Sequence, residues 1–195
     1  FNRDFINKLV WMKDVPEIRS SEALWHMHPV VFLDALKMQS RRGVIRPRNV
    51  QDFLDMASDS AEQAAAKWGV PASVLLAQSA LESGWGKHVK NNAYFGIKGK
   101  SPTGNSTSFG TTEVINGKVI HIKDTFRAYA DYAESADDYG RFLNENKRYK
   151  PAFIHTTEPN QFITEIAKAG YATDPDYAPK LIRLMERYDL YEFDK

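Results

Sequence analysis

Cysteine is missing from the 195-residue chain. That excludes disulfides, thiolate nucleophiles and cysteine-ligated zinc, and leaves the compartment open. No apolar run approaches the ~18 residues of a membrane-spanning helix, and the first residues lack a secretory signal pattern. The net charge is only +1, so no broad field favours nucleic acid or an anionic bilayer. Neither a nucleic-acid partner nor membrane insertion is expected. Gly-x-Ser-x-Gly, the P-loop and His-Glu-x-x-His are absent as well, which removes the serine-hydrolase, nucleotide-binding and zinc-protease readings. His26 and His28 form a His-x-His pair. No further His or acid cluster completes a ligand set, so they read as packing or capping residues. No metal and no cofactor are expected. Internal repeats and low-complexity tracts are also lacking.

What is present is an ordinary globular composition, 43% hydrophobic and 26% charged, with aromatics at 12%. The chain opens on Phe1 rather than methionine, and reads as part of something longer. Residues 1–45 form a helical lead-in that ends in a basic, Gly- and Pro-marked connector, "RRGVIRPRN". The main domain runs over 46–195. From Val50 the residues Phe53, Leu54, Ala57, Ala61, Ala64, Ala65 and Trp68 recur at helical spacing, and Gly69 ends the run. Pro71 opens a second helix that reaches about Ser83. "KGKSPTGNSTSFG", 98–110, is a loop by composition. In "TTEVINGKVIHIK" β-branched residues flank Asn116-Gly117, a strong signal for a two-residue hairpin turn. Three helices follow: "SADDYGRFLNENKRY", "EPNQFITEIAKAG" and "PDYAPKLIRLMERY". Asp137 and Asp138 fall at the first of these starts, where acids complement the helix dipole. Asp174 and Asp176 read as turn and cap residues. Tyr129, Tyr132, Tyr139 and Phe142 read mostly as core. The fold class is mainly α (α+β), with one hairpin between helical halves.

The second helix ends in "ALESGWGK". At 100° per residue Val74, Leu75, Gln78, Leu81 and Glu82 share one arc, with Ser79 and Ser83 outside it. An acid on an apolar face is desolvated, and in the last helical turn it meets the negative end of the dipole. Both effects favour a retained proton, as a general acid needs. The alternative is a carboxylate at the edge of that face, reaching solvent or pairing with Lys87 or His88. Gly84 and Gly86 allow a sharp turn that presents Trp85. "NNAYFGIKG" adds Tyr94 and Phe95 around another glycine. Flat aromatics beside a protonated carboxyl suit a sugar ring, although core filling would also explain each ring.

"LAQSALESGWGK", "NNAYFGIKG", "TTEVINGK", "TFRAYADYAESADDYGRFL" and "AGYATDPDYAPKL" together resemble, in that order, the glucosaminidase domains of glycoside hydrolase family 73. The likeness covers roughly residues 50–190. It implies a lysozyme-like helical domain with a small β-lobe and a glycan cleft between lobes. It implies a general acid at Glu82, a second acid at Glu113 and an active-site tyrosine at Tyr171. Trp85, Tyr94, Phe95, Gln78 and Tyr177 are the candidate substrate contacts. From the residues alone Glu113 is more ambiguous. A turn at Asn116-Gly117 pairs it with Ile120 and puts it on one face with Ile115 and Ile122, a pattern that an exposed hairpin tip also carries.

The expected reaction is cleavage of a β-1,4 bond in the peptidoglycan glycan strand, with Glu82 protonating the leaving oxygen. Glu113 activates water or stabilises the cation, or the substrate's own acetamido group attacks. Tyr171 positions that group or the water. Glucosaminidase specificity follows from the resemblance, and a muramidase cut stays open. A non-catalytic glycan-binding module is the alternative class. "LWHMHPVVFLDAL" in the lead-in also resembles segments of cargo effectors of the bacterial type VI secretion system. On that reading the chain is the catalytic part of an antibacterial effector, with an immunity protein or secretion machinery as partners. Either way it works in the periplasm or cell wall, as part of a secreted or delivered protein.

Overall fold

The computed structural model describes residues 46–195 except residue 117, so His26, His28 and the rest of the lead-in lie outside the described residues. From Asn49 onward the chain is one unit. Helix α1, Arg48–Trp68, buries Val50, Phe53, Leu54, Ala57, Ala61 and Ala64 along one stripe. It stops where Gly69 turns left-handed, at φ 73°. Helix α2, Ala72–Ser83, is different, because Ala72 to Ala80 are all buried, as is Ser83. Pro71 precedes it as the cap residue without a side-chain bond. The first-turn donor is met from far along the chain instead, with Ser73 N–H donating to Asp194 Oδ1 at 2.8 Å. Around α2 pack helix α4 (Pro159–Lys168), helix α5 (Tyr177–Arg187) and the terminal 3₁₀ segment Leu190–Asp194.

Helix α3 spans Tyr132–Glu145, three residues earlier in start than the sequence reading. Asp131 caps it by accepting from Glu134 N–H at 2.9 Å, and Glu134 reaches back to Ala130 N–H at 2.9 Å. Asp137 and Asp138 therefore sit in the middle of the helix, and their expected first-turn role is corrected. Asp137 accepts from Lys67 Nζ and Trp68 Nε1. Asp138 is buried. The helix also stops at Glu145, and the remaining "KRY" belongs to a 3₁₀ segment, Lys147–Ile154. Pro151 inside that segment is incompatible with a continued α-helix. Tyr129, Tyr132 and Tyr139 are core residues, as read from sequence.

Strands β1 (Ser106–Ile115) and β2 (Lys118–Arg127) form one antiparallel hairpin, in register from Ser106↔Arg127 to Ile115↔Lys118. Glu113 pairs with Ile120, and Asn116 at φ 52° fits a two-residue turn. Residues 106–110, read as loop from composition, are strand, because each has a partner among Lys123–Arg127. The root is stitched to the preceding loop: Gly99 N–H donates to Thr125 O at 2.9 Å, and Arg127 N–H to Ile97 O at 2.8 Å.

Candidate active site

Helix α2 delivers Glu82 from its final turn. Its C-terminus is closed by Gly84 at φ 56°, with Trp85 N–H donating to Ala80 O at 2.9 Å. Ser83 Oγ donates to Ser79 O at 2.5 Å and accepts from Gly86 N–H at 2.8 Å. The backbone carrying the acid is thereby tied both to its helix and to the turn beyond.

The helical arc fails as a guide to burial here. Ser79 and Ser83 are buried, while Leu81 is 37% exposed and Glu82 is open to solvent. The physical reason is that α2 is enclosed along Ala72–Ala80 whatever the face, and its exposure is confined to Leu81 and Glu82 in the last turn rather than to one stripe. The two serines meet their hydrogen-bonding needs inside, and Ser79 Oγ reaches Tyr132 Oη at 2.9 Å.

Glu82 nevertheless sits in a concavity. It lines a cavity of about 210 Å³ with His88, Val89, Lys90, Ala93, Gly96, Phe109 and Phe126. A Cβ on Gly96 would lie 3.5 Å from Glu82 Oε2, so the "YFG" turn passes directly against the carboxyl. Gly96 has φ 61°, a conformation that a side chain would strain. Solvent reaches the carboxyl from one side while protein crowds the others, and this partial desolvation raises its pKa above the usual glutamate value. Phe109 and Phe126, 5.4 Å apart on the two strands, place the root of the hairpin opposite the acid.

Behind Glu82 lies a layer of buried polar rings. Gln78 is fully buried; its Nε2 donates to Tyr177 Oη at 2.9 Å, and it accepts from Tyr139 Oη. Tyr171 Oη donates to Phe95 O at 2.5 Å, and its ring stacks on Tyr177 at 5.8 Å. Burial first, then neighbouring phenols and the Glu82 charge, push the Tyr171 hydroxyl well above its ordinary value. For Tyr177, burial and then the Glu82 charge do the same. Both tyrosines stay protonated, Tyr171 donating to the Phe95 carbonyl and Tyr177 accepting from Gln78.

The structure places the expected substrate contacts at different depths. Gln78, Tyr94, Phe95 and Tyr177 are core residues and support the site from beneath rather than line it. Phe95 stacks on Tyr139 at 4.4 Å, and Tyr94 meets Tyr132 edge-on at 4.9 Å. Trp85 is half-buried between Phe53 and Tyr188, at 5.6 and 5.1 Å, and does not line the Glu82 cavity. The lining by His88, Lys90, Phe109 and Phe126 was missed, though two phenylalanines in a polar hairpin were a readable signal. So was Asp138, which accepts from Arg127 (3.0 Å), Tyr129 (2.5 Å) and Arg141 (2.9 Å) and ties the hairpin root to α3. Among the described residues no three His, Cys, Asp or Glu side chains gather to hold a metal. No described helix is long and apolar enough to cross a membrane.

The chain is similar in sequence and fold to known proteins. The glucosaminidase family profile, described as mannosyl-glycoprotein endo-beta-N-acetylglucosaminidase, matches residues 58–190. The peptidoglycan hydrolase FlgJ of Vibrio cholerae is 42% identical over 70% of this chain and 43% of its own length. The exo-glucosaminidase LytG of Bacillus subtilis is 37% identical over 74% and 54%. The chain spans about half the length of these relatives. A mutant peptidoglycan hydrolase from Sphingomonas sp. A1 superposes with a TM-score of 0.63 at 35% identity, covering 73% of this chain and 97% of that one. The catalytic domain of the Listeria monocytogenes autolysin Auto gives 0.68 at 29% identity, covering 86% and 100%. With a glutamate ending a buried helix opposite a two-stranded lobe, and this profile across most of its length, the chain belongs to the glucosaminidases of glycoside hydrolase family 73.

Proposed function

We propose that this domain hydrolyses β-1,4 glycosidic bonds of the peptidoglycan glycan strand, with Glu82 as general acid. The observation that carries the reading is the setting of Glu82: a carboxyl open to solvent on one side, pressed against Gly96 on another, and raised in pKa by burial. Such a group holds its proton until a leaving oxygen needs it. Relatives named as peptidoglycan hydrolases and an exo-glucosaminidase support the substrate class.

Glu113 is the proposed second acid. Position 113 has the same strand parity as Phe109, which lines the cavity, and lies about 13 Å further along β1. Hairpin movement toward bound substrate would bring the two acids into play together. Tyr171 is proposed to orient the acetamido group or water from beside Glu82.

Glu82→Gln should abolish release of reducing ends from purified sacculi, and full activity in that variant would overturn the assignment. Glu113→Gln should show a smaller loss. Mass spectrometry of reduced products decides the bond, since a reduced glucosamine end supports the glucosaminidase reading and a reduced muramic end a muramidase. The effector role, with its immunity or secretion partners, is proposed on the lead-in resemblance alone. Toxicity that appears only on export to the periplasm would support it.

A further inference from the structure

The last turn of α2 opens a second face. Leu81, adjacent to the acid, joins Leu184 in a groove of about 620 Å³ whose other lining residues are Lys180, Arg183, Glu186 and Arg187. Lys180, Arg183 and Arg187 are spaced i, i+3, i+7, so they form one stripe along α5. The opposite stripe of the same helix, Tyr177, Ala178, Leu181 and Met185, is buried. Three cations and one acid, Glu186, line this groove, so it is locally positive in a chain of net charge only +1. Lys180 is engaged with Asp174 at 2.5 Å. Arg183 is exposed and makes no ion pair among the described residues. Arg187 is exposed and lies 5.4 Å from the Tyr188 ring.

We infer that this groove binds the carboxylates of the peptide stems that branch from the glycan strand, an inference resting on the peptidoglycan reading above. A neutral sugar offers a guanidinium little, whereas a carboxylate meets its paired donors in a fork. The Leu81–Leu184 floor matches the short apolar side chains of such stems. Leu81 and Glu82 are consecutive, their Cα atoms about 3.8 Å apart. Their side chains leave the helix about 100° apart, so the groove borders the acid's cavity on the next face of the last turn, within reach of a stem that branches from a strand seated at Glu82.

The test measures co-sedimentation and turnover of the full chain with intact sacculi and with sacculi stripped of stems by an amidase, the lactyl carboxylates so exposed being capped as amides, and co-sedimentation with anionic phospholipid vesicles. Arg183→Glu combined with Arg187→Glu should lower affinity for intact sacculi about tenfold and affinity for stripped strands far less. Equal losses on both substrates, or none on either, overturn the inference. So does a loss confined to anionic phospholipid vesicles, which would assign the stripe to a membrane surface. Turnover reports separately: a wild type that binds but cuts neither substrate overturns the glycosidase reading, while the binding contrast still decides the groove.

Discussion

Glu82 is wet on one face and crowded on the rest, and that mixture fixes its response to pH. Its folded-state pKa is raised by burial, so the native protein holds this proton over a range in which the unfolded chain has released it. Its contribution to stability is therefore full below the ordinary glutamate pKa and is lost as pH rises through the folded value. Glu82→Gln removes the titration. The variant should melt higher than wild type near pH 8 and match it near pH 4. Solvent access keeps this gap modest, and equal melting at both pH values would remove Glu82 from the protonation argument. The alkaline limb of the rate profile should fall at an apparent pKa above the usual glutamate range. The direction of this shift was legible from a terminal acid on an apolar run. The route was not, because Ser79 and Ser83 turned inward and Leu81 outward. A helix enclosed on all sides carries no amphipathic signal from which to read its exposed patch.

Among the elements, the hairpin depends most on distant support. Two strands alone are marginal in water, and this pair is held at its root by Arg127 and Tyr129 converging on Asp138. Asp138→Ala leaves two guanidinium groups and a phenol without their buried acceptor. It should cost about 3–5 kcal/mol in urea unfolding. Asp138→Asn keeps the shape and part of the bonding, and should fall between that variant and wild type. If Asp138→Ala unfolds like wild type, the cluster is not what secures the lobe. The sequence contained a cue to this element: Asp131-Tyr-Ala-Glu134 has the spacing of a capping box, which starts α3 at Tyr132 and moves Asp138 to its interior. Helical spacing reads from Ser135 instead. The Asn-Gly turn and the Glu113↔Ile120 pairing were legible because turn chemistry is local. The extra strand residues 106–110 were not, since their partners lie across the turn.

Over the whole molecule, stability should be graded. Amide exchange should be slowest in α2, whose backbone is enclosed by α4, α5 and the Leu190–Asp194 segment, and fastest in the outer half of the hairpin. Hairpin amides as slow as those of α2 would show the lobe to be locked rather than movable, and would count against closure on substrate. The helical fold was legible in outline because caps and periodicity are short-range. That α2 runs through the middle was not, since its surroundings come from segments up to 121 residues away.

The enclosure of α2 has an engineering consequence. An acid at the end of a helix enclosed from Ala72 to Ala80 cannot be re-aimed without rebuilding the core around that helix. The wall facing it is made of two strands that pair chiefly with each other, and these can be lengthened, shortened or recoloured at little structural risk. The wall is therefore the part to vary, and grafting hairpins of other lengths is the direct way to test whether it selects the bond that is cut.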